Sequence, residues 1–191
     1  VNGFKYKKQD QIITSPKHFR IQNKDLIVFK TKSKFNIINR RGEIRIKLKS
    51  DIEFSNDDIY SYQNNLITTS ENNEIIKIDI KGNINKIKED NLNTIFIVSN
   101  NDYYSYLINN SIKTPKNKID LEFGKYSDLS LYENKKNIFI SLYNEQSKKL
   151  YMFDEKLIPI SNFPKTISSN AEIKLYNNNF YYSFLEENNS V

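Results

Sequence analysis

Apolar and polar positions alternate with a period of two along most of the chain, as in Ile75-Ile76-Lys77-Ile78-Asp79-Ile80, whereas a helical spacing is hard to find. Period-two alternation bounded by Asn, Asp, Ser or Gly predicts strands with one face buried. A first kind of strand recurs at Phe19 to Asn23, Ile59 to Asn64, Ile95 to Asn100, Leu129 to Asn134 and Ile173 to Asn177, and each runs into an Asn-containing break. A second strand comes after each break, at Leu26 to Phe29, Leu66 to Thr69, Tyr103 to Leu107, Ile138 to Leu142 and Phe180 to Phe184. Third and fourth strands complete the first four units, with the fourth expected at Ile44 to Leu48, Ile84 to Ile87, Ile119 to Phe123 and Leu157 to Ile160.

The units, approximately 15–50, 55–90, 92–124, 127–162 and 170–191, recur every 34–44 residues or so, near the period of four-stranded propeller blades. The predicted fold class is therefore all-β, a β-propeller of four-stranded antiparallel blades forming one domain or part of one over residues 1–191. The fifth unit stops after its second strand. The chain also opens on Val1-Asn2-Gly3-Phe4 without an initiator Met, so the expectation is a partial propeller excerpted from a longer protein.

A repeated phrase sets the register. Phe35-Asn36-Ile37-Ile38-Asn39-Arg40-Arg41-Gly42-Glu43-Ile44 matches Ile75-Ile76-Lys77-Ile78-Asp79-Ile80-Lys81-Gly82-Asn83-Ile84, and Leu150 to Ile158 is a third version. Gly42 and Gly82 fall where the turn needs a positive φ. With only 4 Gly in the chain, Asn109-Asn110 and Asn177-Asn178-Asn179 are expected to take that part elsewhere, since Asn tolerates the left-handed region. Pro115, Pro159 and Pro164 fall at strand ends or connectors, where a missing N–H does no harm.

Asp79-Ile80-Lys81-Gly82-Asn83 and Phe153-Asp154-Glu155-Lys156-Leu157 resemble the third-strand, turn, fourth-strand signature of quinoprotein-like β-propellers. As a whole the repeat pattern is similar to the propeller part of large uncharacterised bacterial proteins, some of which carry a ribonuclease HII designation. The resemblance implies a repeat scaffold. Ribonuclease chemistry needs clustered metal-binding carboxylates on an α/β scaffold, and the sequence offers neither. It also contains no Trp, the docking residue common in quinoprotein repeats, so no quinone or other cofactor is expected.

Composition narrows the rest. The 13 Tyr and 12 Phe can supply buried area that aliphatic residues usually provide. Without Cys there are no disulfides or thiolate metal sites, and the compartment stays open. The longest apolar runs, such as Ile95-Phe96-Ile97-Val98, fall far short of the ~20 residues that a membrane-spanning helix needs. The net charge of +6 is unevenly spread: 14 Lys/Arg stand against 3 Asp/Glu up to Ser50, and 15 against 20 from Asp51 onward.

Few residues suggest chemistry. His18, the only histidine, has no adjacent nucleophile or orienting group and reads as structural or surface. Asp51, Glu53, Asp57 and Asp58 could ligate Ca²⁺ through oxygen, but they lack EF-hand spacing and suit a strand-initiating turn. Asn109-Asn110-Ser111 and Asn188-Asn189-Ser190 match the glycosylation triplet, as chance allows in so Asn-rich a chain. No phosphate-cradling Gly-rich loop, zinc spacing or nucleophile elbow is present, so no catalytic or metal residue is assigned.

The one constellation is basic: Lys30, Lys32 and Lys34 around one turn, Arg40 and Arg41 in the next, and Arg45, Lys47 and Lys49 alternating after it. As a functional patch it would bind an anionic partner through summed potential. As a structural device it would guard the outer edge of a blade against unwanted strand addition. Tyr103, Tyr104, Tyr106, Tyr151, Tyr176, Tyr181 and Tyr182 could stack on sugars or bases, but are expected to pack the core. The expected function is a non-enzymatic binding or scaffolding module that presents its loops to a protein or glycan partner. The alternatives are an anion-surface binder of nucleic acid or an acidic partner, and an accessory domain of a larger enzyme.

Overall fold

The computed structural model describes residues 3–7, 10–87, 95–127, 129–134, 137–168, 171–177 and 179–183. Asn178, Phe184 and the triplet Asn188-Asn189-Ser190 lie outside the described residues. Among the described residues every regular element is a β-strand and all pairing between strands is antiparallel. The chain divides into two compact units, Val1–Tyr104 and Ser105–Val191.

In the first unit, β1 (Lys17–Ile21), β2 (Lys24–Lys30) and β3 (Phe35–Ile38) form a three-stranded meander. Next in the chain is a four-stranded meander of β4 (Tyr60–Tyr62), β5 (Asn65–Thr69), β6 (Ile75–Ile78) and β7 (Ile84–Ile87). The third meander has the order β8 (Ile95–Ser99), β9 (Tyr104–Ile108), β10 (Ser111–Lys113) and β11 (Lys118–Asp120), with the unit division falling at the start of β9. In the second unit, β12 (Ser130–Asn134), β13 (Asn137–Asn144), β14 (Lys149–Asp154) and β15 (Lys165–Thr166) make a four-stranded sheet, and β16 (Glu172–Tyr176) pairs with β17 (Asn179–Ser183). The chain is all-β, and its small antiparallel sheets, three of them four-stranded, are the blades of a β-propeller.

Turn chemistry explains why the strands fold back where they do. Gln22-Asn23 and Gln63-Asn64 both have two consecutive positive φ angles (46° and 61°; 46° and 62°), the backbone of the two-residue hairpin turn that suits the twist of paired strands. The repeated phrase forms one loop three times. In it the Asn39, Asp79 or Asp154 side chain accepts the N–H groups two and four residues on, and its carbonyl accepts the N–H three residues on. That third residue has positive φ each time: 78° at Gly42, 80° at Gly82 and 64° at Leu157. Asn109 and Asn177 also take positive φ, as their sequence positions suggest.

Two fourth strands differ from expectation. Ile44 to Leu48 forms no strand, only the bridge Ile38↔Ile44. Ile46 turns into the core at 8% exposure, and the stretch after it is drawn to the turn of the next sheet. There the Lys49 N–H donates to the Gly82 carbonyl at 3.0 Å, and the Lys49 ammonium donates to Asn83 Oδ1 at 2.8 Å. Leu157 to Ile160 likewise shrinks to the bridge Phe153↔Pro159, and the strand paired with β14 is β15.

Period-two burial builds the cores. In the first unit Ile21, Leu26, Val28, Ile37, Ile59, Leu66, Ile76 and Ile78 pack together with almost no exposure. At about 1.5–3 kcal/mol per fully buried aliphatic side chain, this packing is the main force holding the sheets' apolar faces. In the second unit Tyr143, Leu150, Met152, Ile167 and Ile173 form the core, with Tyr132, Phe163, Phe180 and Tyr182 against it.

Candidate functional site

The basic residues of the first sheet separate into a buried lysine and two clefts. Lys30 ends β2 with no exposure at all. Its ammonium donates to the Ser55 and Asp57 carbonyls at 2.9 and 2.7 Å, and burial pushes its pKa down to about 8 against the pull of Asp57 and Asp58. Lys30 is thus an internal tie between β2 and the connector after the first sheet, and it adds nothing to a surface patch. Lys32 and Lys49 are exposed, Lys49 being held by Asn83.

Arg40, Arg41 and Arg45 converge on a polar cleft of about 320 Å³ that is also lined by Asn23, Asp25, Asn39 and Glu43. The hairpin turn at Gln22-Asn23 and the loop at Asn39 to Glu43 place these residues together, at the same end of the sheet. The two carboxylates are already engaged. Asp25 accepts His18 Nε2 on Oδ1 at 3.1 Å and pairs with Arg40 Nη2 through Oδ2 at 3.1 Å. Loss of solvent works to raise the Asp25 pKa, but the Arg40 charge and the His18 bond outweigh it and hold the acid below its usual range. Glu43 takes the Lys5 ammonium at 2.7 Å and the Asn39 amide at 3.0 Å, and these bonds lower its pKa too. Arg41 and Arg45 have no ion pair among the described residues. Two guanidinium forks facing one cleft suit a carboxylate, sulfate or phosphate, which they can grip by paired N–H donors.

The second cleft, also about 320 Å³, lies on the other side of the 43–47 stretch and includes Lys34, Lys47, Phe35, Ile37, Ile44 and Ile46. Glu43 and Arg45 line the first cleft and Ile44 and Ile46 the second, so alternation sorts residues 43–46 into a polar and an apolar side, and Lys47 departs from it by lining the second cleft.

The remaining candidates have structural roles. His18 serves Asp25. Asp57 accepts the Ser55 hydroxyl at 3.0 Å and the Thr69 hydroxyl, while Asp58 pairs with Lys17 at 3.0 Å. Among the described residues no group of three or more acidic or His side chains is placed to hold a metal ion. Tyr104 and Tyr106 are buried, and Tyr104 meets Tyr62 edge-on at 4.7 Å with the Lys77 ammonium 4.9 and 4.8 Å from the Tyr62 and Tyr104 rings. Tyr151 stacks on Phe153, whereas Tyr176 and Tyr181 are 66% and 56% exposed.

One cluster has no counterpart in the sequence reading. In the second unit Glu122 receives the Lys149 ammonium at 2.8 Å and the Ser147 hydroxyl, with the Asn144 amide at 3.4 Å. These donors, Lys149 first, then Ser147 and Tyr151, hold its pKa down at about 2. Glu122 lies more than twenty residues before its partners, in the segment after β11, and only the tertiary fold brings it to the β13–β14 hairpin.

No family model matches the chain, and none of the curated proteins matches it. Among solved structures it is similar to a protein of unknown function from Bacteroides caccae, at 10% identity and a TM-score of 0.46, over 96% of this chain and 74% of that one.

Proposed function

We propose that the chain is a non-enzymatic binding module whose first blade meets a protein or glycan partner through the cleft of Arg40, Arg41 and Arg45, taking an anionic group of that partner. The observation that carries this reading is the state of the charges. Arg40 pairs with Asp25 and Lys5 with Glu43, while Arg41 and Arg45 form no ion pair among the described residues and present their guanidiniums to an outside acid. The excess of 14 Lys/Arg over 3 Asp/Glu up to Ser50 adds a long-range attraction for the same ligand.

Retention on immobilised heparin, a sulfated glycan, tests the reading. The Arg41→Ser/Arg45→Ser double variant should elute at clearly lower salt than the parent, while the equally charged Lys156→Ser/Lys174→Ser control should elute close to it. Equal elution of the two variants would show that net charge alone sets retention and would remove the cleft from the proposal.

A further inference from the structure

We propose that the outer edge of β3 is a strand-addition site for an extended peptide of alternating apolar and acidic residues. This rests on reading the chain as a partner-binding module and adds a second contact, on the apolar side of the 43–47 stretch.

The repeat itself shows what is missing. In the second sheet β7 covers β6 over four residue pairs, from Ile75↔Ile87 to Ile78↔Ile84. With Asn39 placed on Asp79, the equivalent pairs in the first sheet are Phe35 with Lys47, Asn36 with Ile46, Ile37 with Arg45 and Ile38 with Ile44. Only the last forms, as a bridge. The Ile37 carbonyl then accepts both the Arg45 and Ile46 N–H groups, at 2.8 and 3.4 Å, and the chain departs toward Gly82.

The vacated ledge keeps its hydrogen-bonding groups. Backbone groups of alternate residues in an antiparallel ladder point to the same edge. Since the Ile37 carbonyl points outward, the N–H and C=O of Phe35 do so too, and no described residue bonds to them across that edge. Beneath the ledge lies the second cleft, with room for a few side chains. Ile44 stands on it at 74% exposure, an apolar surface that a merely guarded edge would not present.

Charge selects the occupant. Lys34 and Lys47 line the cleft, both exposed and with no ion pair among the described residues, and Asp51 is the one carboxylate among its lining residues. A peptide in extended form would pair its backbone with Phe35, turn apolar side chains onto Ile44 and the cleft floor, and offer acidic ones to the two lysines.

The test uses the whole 191-residue chain with a fluorescein-labelled, acetylated (Glu-Val)4 peptide. Fluorescence anisotropy reads affinity, and NMR reads the amides of Phe35 and Ile37. Saturable binding that shifts those two amides is expected. Charge reversal in Lys34→Glu/Lys47→Glu, on exposed side chains that leave the melting curve unchanged, should weaken it at least about tenfold. So should N-methylation of alternate peptide residues, which removes the pairing N–H groups. Equal binding of the methylated peptide or of (Lys-Val)4, or self-association of the chain in place of peptide binding, would overturn the proposal. Loss of peptide binding in Arg41→Ser/Arg45→Ser but not in Lys34→Glu/Lys47→Glu would overturn it as well, and would leave the arginine cleft as the module's contact.

Discussion

At Gly82 two constraints meet on one backbone position. Its φ of 80° lies in the left-handed region, and a Cβ there would sit 2.1 Å from the Lys47 carbonyl oxygen. Gly82→Ala should therefore destabilise the protein by at least roughly 2 kcal/mol in urea denaturation, through strain and displacement of the 47–49 stretch. Gly3 has φ 92° but open space around it, so Gly3→Ala isolates the cost of φ alone and should cost no more than about 1 kcal/mol. Lys30 is a second residue-scale case, this time electrostatic. Its pKa falls from 10.5 to about 8 in the fold, so between those values the unfolded chain binds more protons than the folded one. Stability from this group is lowest below pH 8 and rises with pH through the window from about 8 to 10.5. Lys30→Met should remove that rise from the stability curve, while stranding the Ser55 and Asp57 carbonyls without their donor.

Among the elements, the recurring loop is the part whose chemistry is most nearly shared between sheets. Asp79 holds the N–H groups of Lys81 and Asn83 and the Asn83 amide, and Asn39 does the equivalent work in the first sheet with a neutral side chain. Asp79→Ala should cost about 1–2 kcal/mol in a denaturation measurement, on the scale of a lost side-chain cap. Asp79→Asn should cost clearly less, because the acceptor oxygen is kept; an equal loss would mean that charge, not geometry, closes the loop. The path of the chain beyond the loop differs between the two sheets. After Asp79 the chain continues as β7, and after Asn39 it is pulled away by Ile46 burial and the Lys49 contacts, which is why the first sheet has an open edge.

Over the whole molecule, carboxylates with lowered pKa stand in both compact units, Asp25, Glu43 and Asp79 in the first and Glu122 in the second, while Lys30 adds a response at the basic end. The Lys30 effect belongs to Val1–Tyr104 and appears above pH 8. Glu122 belongs to Ser105–Val191, and its pKa is lowered from 4.5 to about 2 by Lys149, Ser147 and Tyr151. Its contribution is fully present above pH 4.5 and is lost as pH falls through about 2. Hydrogen exchange should accordingly show acid-induced loss of protection around β13 and β14 that is reduced in Glu122→Gln, while the acid response of β2, which carries Asp25, is the same in that variant and the parent. Equal loss around β13 and β14 in Glu122→Gln and the parent would show that general charge repulsion, not Glu122, governs acid unfolding there.

The alternation of apolar and polar residues was enough to determine the all-β class, most strand positions and the turns, because side-chain period and turn φ are local properties of the chain. Thus Gly42 and Gly82 could be read as positive-φ turn positions, whereas Gln22-Asn23, expected at the end of a strand, forms the hairpin turn itself. Tertiary structure alone decided which charges are free. Lys30 looks like its neighbours Lys32 and Lys34 in sequence, yet its place at the end of β2 buries it against carbonyls from another segment. Arg41 and Arg45 form no ion pair among the described residues, because Arg40 and Lys5 hold the carboxylates of Asp25 and Glu43. The missing fourth strand of the first sheet and the Glu122 cluster have the same cause. Each depends on competition between contacts distant in sequence, and a local pattern does not record which contact wins.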